Sequence, residues 1–311
     1  MRTAGILAAL ALSFVAWKGD ARADTGKAWT AAKAGLPAEA KFALGFDVAA
    51  LAKTQLFATY YPKLKDKPDA AKVLDAVKDA CKLDPVAIVQ GVVVAMSADQ
   101  QDGAAYVALS GIDKTKLSSC IQQVSQAQDK DAKVTVKQDG NITEISRGSE
   151  TAFLGWVGKD VLVVSLHAQD KSTLTKWMGG KGALAKSDLG KLVAKVNTAA
   201  AIWGAGTGDK ELEPGLTAKG LYGQVTYAKG NVSAELHAVM GSAAEATKMA
   251  TTTNKQLDEA KQSGQLPPEL AALAKAIGVS ADKDQLRVTA TMGEKDLLGA
   301  LAIVIGGFGG P

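Results

Sequence analysis

Gln90–Gln126 reads QGVVVAMSADQQDGAAYVALSGIDKTKLSSCIQQVSQ, and Tyr222–Leu257 reads YGQVTYAKGNVSAELHAVMGSAAEATKMATTTNKQL. Each stretch runs glycine, alternating apolar segment, polar turn, second alternating segment, glycine, and then a helical pattern. Period-two apolar residues on either side of a turn specify a β-hairpin, and the 3.6-residue stripe that follows specifies a helix. The same phrase written twice predicts an α+β protein with two tandem related domains, each an antiparallel sheet with helices packed on one face. A third mark keeps the register. Lys159-Asp160 ahead of VLVVS aligns with Lys283-Asp284 ahead of QLRVT, which sets Asp170-Lys171 on Glu294-Lys295 and Leu174 on Leu298. The expected boundaries are 1–23 for a leader, 24–196 for the first domain and 197–311 for the second, a diverged repeat of the first. A period this long fits a tandem duplication rather than a solenoid.

Working outward, Asp24–Gly35 predicts a short helix that Leu36-Pro37 breaks. Lys41–Val48 predicts a half-buried strand with Phe42, Leu44 and Phe46 on its inner face. Asp69–Cys81 carries Ala71, Val73, Leu74, Val77 and Cys81 as one helical stripe. Asp84-Pro85 reads as a turn into a strand over Val86–Met96, and Gln101-Asp102-Gly103 as the hairpin turn. Asp113 is placed to cap the following helix. Turns at Asp139-Gly140-Asn141 and Gly158-Lys159-Asp160 separate further short strands. Ser172–Met178 predicts a short helix, and Asp188 is placed to cap another. Ala199–Gly204 reads as a strand and Thr207–Lys219 as a polar loop. After the second hairpin come helices from about Ser242 to Gln262 and from Pro268 to near Gly278. A strand over Gln285–Met292 and a helix over Lys295–Ile305 complete the chain, and the tail Gly306–Pro311 is expected to fray.

The N-terminus has the form of an export signal. Arg2 is the positive region, Ala4–Trp17 the apolar run, and Ala21-Arg22-Ala23 the small-x-small cleavage site. The run is too short to cross a bilayer, which takes roughly 20 apolar residues. No transmembrane span is expected after its removal, and a periplasmic or secreted bacterial protein is expected. Losing Arg2, Lys18, Arg22 and Asp20 lowers the formal charge from +4 to +2. So small an excess argues against nucleic acid as a partner. In an exported chain the two cysteines, Cys81 and Cys120, are expected to form a disulfide tying two helices. Two separate thiols or a redox pair are the alternatives.

The residues that carry chemistry are sparse. The two histidines, His167 and His237, have no second ligand at metal spacing, so no metal site is expected. His237 falls on the hairpin face of Ser233 and Glu235, where it reads as a lone exposed side chain. No Gly-x-Ser-x-Gly elbow is present. Gly204-Ala-Gly-Thr-Gly-Asp-Lys210 lacks the phosphate-loop spacing and the helix that must follow it. Asp47, Asp139, Asp160 and Asp284 stand at strand ends and turns, common places for Asp without any function. Asn141-Ile142-Thr143 and Asn231-Val232-Ser233 match the glycosylation pattern but begin at turns, where Asn is expected anyway. Phe57, Tyr60 and Tyr61, with Trp156 and Trp203, are candidates to line an apolar pocket or simply a core. No catalytic residue and no cofactor are expected.

Leu36–Leu51 (LPAEAKFALGFDVAAL), Cys81-Lys-Leu-Asp-Pro85 and Val196-Asn-Thr-Ala-Ala-Ala-Ile-Trp203 resemble a group of secreted bacterial proteins of unknown function. Those proteins begin the mature domain with a Leu-Pro-Ala phrase and a strand. The resemblance implies an exported protein and transfers no active site. The reading is therefore an exported, non-catalytic binding or scaffolding protein of the bacterial envelope, its partner an envelope protein or an apolar ligand. The alternative is a periplasmic carrier of a lipid or other apolar ligand. A hydrolase built on scattered carboxylates is the third possibility.

Overall fold

The computed structural model describes residues 25–66, 68–99, 102–128, 134–147, 150–166, 170–213, 216–264 and 266–300. The expected leader, His167, Gln101, Pro214 and the tail Gly306–Pro311 lie outside them. The chain forms two compact units. One consists of the residues up to Lys53 with Phe57–Lys191, the other of Thr54–Leu56 with the residues from Leu192 on.

The first unit opens with helix α1 (Thr25–Gly35), strand β1 (Phe42–Asp47) and the one-turn helix α2 (Val48–Leu51). The Asp47 carboxylate accepts from the Ala50 amide at 2.8 Å and so caps α2. Helix α3 (Gln55–Lys65) follows, then α4 (Pro68–Cys81) and α5 (Pro85–Ile88). The expected strand from Val86 thus begins three residues late. Pro85 has no amide to lose in a first helical turn, so a turn of helix precedes the strand. Next come β2 (Val89–Met96), β3 (Gly103–Leu109) and helix α6 (Lys114–Gln128), which Asp113 caps through the Lys116 amide at 2.9 Å. Strands β4 (Val134–Asp139), β5 (Ile142–Arg147), β6 (Glu150–Val157) and β7 (Val161–Ser165) follow. Helix α7 (Lys171–Met178), capped by Asp170, and the short α8 (Asp188–Val193) come last. Ser187, not Asp188, caps α8, its hydroxyl accepting from the Gly190 amide.

Within this unit the strands lie in the order β1-β2-β3-β7-β6-β5-β4, every pair antiparallel. Helices cover both faces, against the expectation of cover on one. Strand β3 is buried along its whole length. On one side Ala104, Tyr106 and Ala108 meet α1 and α7, and the Tyr106 hydroxyl donates to the Trp177 carbonyl. On the other, Val107 and Leu109 join Val48, Ile88, Val89, Val92, Ile112 and Trp156 in an aliphatic cluster. The α1 side is made of small residues: Ala28, Ala32, Ala43, Ala104 and Ala108 are all 0% exposed. Small side chains let a helix lie close to a sheet. This explains β1, where Ala43, Gly45 and Asp47 are buried and the Phe42, Leu44 and Phe46 face is only half-buried, the reverse of the expected pattern. Gly180 packs just as closely: a Cβ there would stand 2.1 Å from the Leu36 carbonyl oxygen.

The second unit contains β8 (Ile202–Glu213), β9 (Leu216–Ala228) and β10 (Asn231–Met240), helices α9 (Ala243–Gln262) and α10 (Pro268–Ala276), and β11 (Ile277–Asp282) with β12 (Gln285–Gly293). The polar stretch expected as a loop over Thr207–Lys219 is strand for most of its length. It pairs with slips in register beside Gly208, whose φ of +127° only glycine readily adopts. Lys229 and Gly230, both at positive φ, make the two-residue turn between β9 and β10. Strand β11 falls where the second-last helix was expected to end. The strands lie in the order β11-β12-β10-β9-β8. Met240, Ala238 and Leu286 pack under Ala246, Met249 and Ala250 of α9. Residues 294–300 are helical.

The two strand orders correspond. β1, β2, β3, β7 and β6 occupy the places of β8, β9, β10, β12 and β11, and the hairpin β4–β5 is additional to the first unit. The register mark has a structural counterpart: the Leu109 amide donates to the Asp160 carbonyl and the Met240 amide to the Asp284 carbonyl, both at 2.7 Å.

Candidate functional site

The helical stripe of α6, Leu117, Cys120, Ile121 and Val124, faces the sheet at i, i+3, i+4 and i+7 spacing. Opposite stand Val107 and Leu109 of β3, Leu162 and Val164 of β7, and Leu154 of β6. Between the two layers lies a partly open cavity of about 70 Å³, lined also by Val77 of α4 and by Leu83, Ile88 and Ile112. Every lining residue is aliphatic except Cys120. At roughly 24 cal/mol per Å³, a void of this size costs about 1.7 kcal/mol. An occupant made of hydrocarbon recovers that cost. A polar one loses its hydrogen bonds to water and gains none.

Cys81, the last residue of α4, and Cys120, in the middle of α6, form a disulfide with Cα atoms 5.0 Å apart. It ties together the two helices that were expected to be joined, and its Cys120 half lines the cavity. Val77 and Val124 pack around it. α6 is also fastened to the β4–β5 hairpin. Lys114 donates to the Gly140 carbonyl at 2.6 Å, and Gln138 donates to the Ser118 hydroxyl at 3.0 Å.

The aromatic residues offered by the sequence do not line this space. Trp156 is core at 1% exposure, Phe57 stacks on Tyr61 at 4.8 Å within α3, and Trp203 is buried in the second unit. Burial and the charges of Asp84 and Asp75 push the Tyr61 hydroxyl up to about 12. The residues that do line the cavity were visible as apolar stripes. A stripe marks burial, and it reads the same whether the space behind it is full or empty.

A second cluster lies on the sheet face of the second unit. His237 is not alone there. Its Nε2 is 3.0 Å from Glu235 Oε1, the Arg287 Nε donates to the same oxygen at 2.7 Å, and its ring stacks on Tyr222 at 4.6 Å. The Tyr222 hydroxyl donates to Gln285 at 2.5 Å, and Lys195 sits 5.5 Å above the Tyr222 ring. Burial pushes the Glu235 carboxyl up. The hydrogen bonds from His237 and Arg287, with their charges, outweigh it and hold the group below its usual range. A histidine beside a carboxylate resembles a general-base pair, but the geometry does not offer one. The nitrogen facing Glu235 is occupied, and Nδ1, which would have to meet a substrate, is buried without a partner.

Three of the acids noted at strand ends and turns are engaged locally. Asp139 pairs with Lys171, Asp160 with Lys27 at 3.0 Å, and Asp47 caps α2. The hydrogen bond and charge of Lys171 hold the Asp139 carboxyl below its usual range. Among the described residues no group of three or more His, Cys, Asp or Glu is arranged to hold a metal ion. No described helix is long and apolar enough to cross a membrane.

The sequence matches no known family and no curated protein. Among solved structures it is similar to TP0453 in three crystal forms, each at 10% identity. Form III gives a TM-score of 0.48 over 88% of this chain and 97% of that one, and form IV 0.48 over 88% and 96%. Form I gives 0.44 over 92% and 98%. A likeness this distant specifies no ligand and no activity.

Proposed function

We propose that the chain is an exported, non-catalytic binding protein whose first unit holds an apolar ligand between its sheet and α6. The observation that carries this reading is the cavity. Its lining is aliphatic apart from Cys120 and comes mostly from helices and strands. Its volume is about 70 Å³, roughly half that of a cavity known to admit benzene. It takes a few carbons of a hydrocarbon chain as it stands, and more if α4 gives way. Any head group stays outside, because the lining has no polar side chain to receive one. In the second unit Met240, Met249 and Leu286 pack the space under α9. We further read the two units as diverged copies of which the first serves the ligand. The disulfide supports export, since such bonds persist in oxidising compartments.

Native mass spectrometry of protein recovered from cell envelope is expected to show a bound mass of hydrocarbon character. Titration with cis-parinaric acid is expected to saturate at one per chain, and Val107→Phe is expected to abolish uptake by filling the space. Val107→Ile, which adds one methylene, is expected to weaken it. A protein that carries no ligand and takes up no fatty acid is a scaffold with a packing defect, and the reading fails.

A further inference from the structure

We propose that the Cys81–Cys120 bridge is a redox latch on this cavity, closed when oxidised and opened by a dithiol. The inference rests on the apolar-ligand reading above and concerns how the ligand enters and leaves. Three observations carry it. The bridge joins the two helices that enclose the space, with Cys120 itself in the wall. The two helices are held unequally: α6 is fixed to the β4–β5 hairpin through Lys114 and Ser118, while α4 rests chiefly on α6. α4 also supplies Val77 to the lining, whereas β3, β6 and β7 supply Val107, Leu109, Leu154, Leu162 and Val164, so a shift of α4 alone changes the helix side of the enclosure.

The chemistry is thiol–disulfide exchange. Cys120 is 7% exposed, whereas Cys81 is more open, so the incoming thiolate attacks the Cys81 sulfur. The Cys81–Cys120 bond breaks, a mixed disulfide forms on Cys81, and Cys120 leaves as a thiolate that takes a proton. The second thiol of the reductant then attacks its own sulfur in the mixed disulfide and releases Cys81 as a thiol. Two electrons pass from the dithiol, which ends as a disulfide, to the two cysteines. α4 is then held to α6 by apolar contacts alone.

The test is stopped-flow release of cis-parinaric acid from the oxidised protein, the dithiothreitol-reduced protein and the double variant Cys81→Ser/Cys120→Ser. Release is expected to be at least about tenfold faster in the two unbridged forms, with one ligand per chain in all three. Equal release rates overturn the latch and leave the binding reading standing. Failure of every form to bind removes both. Hydrogen exchange keeps the question open to decision if the unbridged forms bind poorly. Amides of α4 are expected to lose protection on reduction while those of α6 and β3 keep theirs, and uniform loss across the unit overturns the latch.

Discussion

Single residues in this protein do work that their types do not announce. Glu235 accepts from both His237 and Arg287, and its carboxyl lies below the unfolded value of 4.5. A carboxyl depressed on folding stabilises the native state fully above the unfolded value, and that contribution disappears as pH falls through the folded one. The urea midpoint is therefore expected to decline below about pH 4.5 in the native sequence. Glu235→Gln is expected to flatten that decline and to cost about 1 kcal/mol at pH 6, as befits a pair near the surface. Urea titrations from pH 6 to pH 3 check both. The sequence placed His237 and Glu235 on one strand face by simple alternation. It could not show Arg287, because that residue arrives through the pairing of β10 with β12, fifty residues later in the chain.

At the scale of elements, α9 is closed by a reciprocal pair at its start. The Glu245 amide donates to the Ser242 hydroxyl at 3.2 Å, and the Glu245 carboxylate accepts from the Gly241 amide at 3.1 Å. Ser242→Ala is expected to cost about 1 kcal/mol and to speed amide exchange in the first turn of α9, both measurable without a ligand. This helix and the hairpin before it were legible, because turns and stripes are local signals. Strand β11 was not. Its Ile277 and Val279 alternate over too few residues to stand out against the helix before them, and the strand exists because β12 offers it an edge. The extended β8–β9 pair was missed for the opposite reason. Its residues are polar and glycine-rich, and pairing overrides their weak strand preference.

At the scale of the whole molecule, the chain order and the compact units do not coincide. Thr54–Leu56 belongs with the unit that begins at Leu192. The Leu56 amide donates to the carboxylate of Glu294 at 2.7 Å across 238 positions of sequence, and Glu294 is 7% exposed. Glu294→Ala leaves that amide without its acceptor and is expected to lower stability by about 1–3 kcal/mol, whereas Glu294→Gln, which keeps an acceptor oxygen, is expected to cost less. Urea midpoints of the two variants decide it. A division into two portions was expected from the repeat, but no local signal marks three residues as belonging elsewhere. The α+β class followed from the hairpin-and-helix phrases, while cover on both faces of the first sheet followed from alanines too small to register as a core. The same limit hid the cavity. Which positions turn inward is written in the periodicity, whereas whether they touch is decided by how closely two layers approach.

Strand β3 separates those layers, and its neighbouring residues report on different sides. Val107 looks into the aliphatic void, and Ala108, one peptide along, looks toward α1. Methyl signals from these two residues form a probe and its internal reference on one rigid segment. An occupant of the void moves the first and leaves the second in place, and a disturbance of the whole unit moves both.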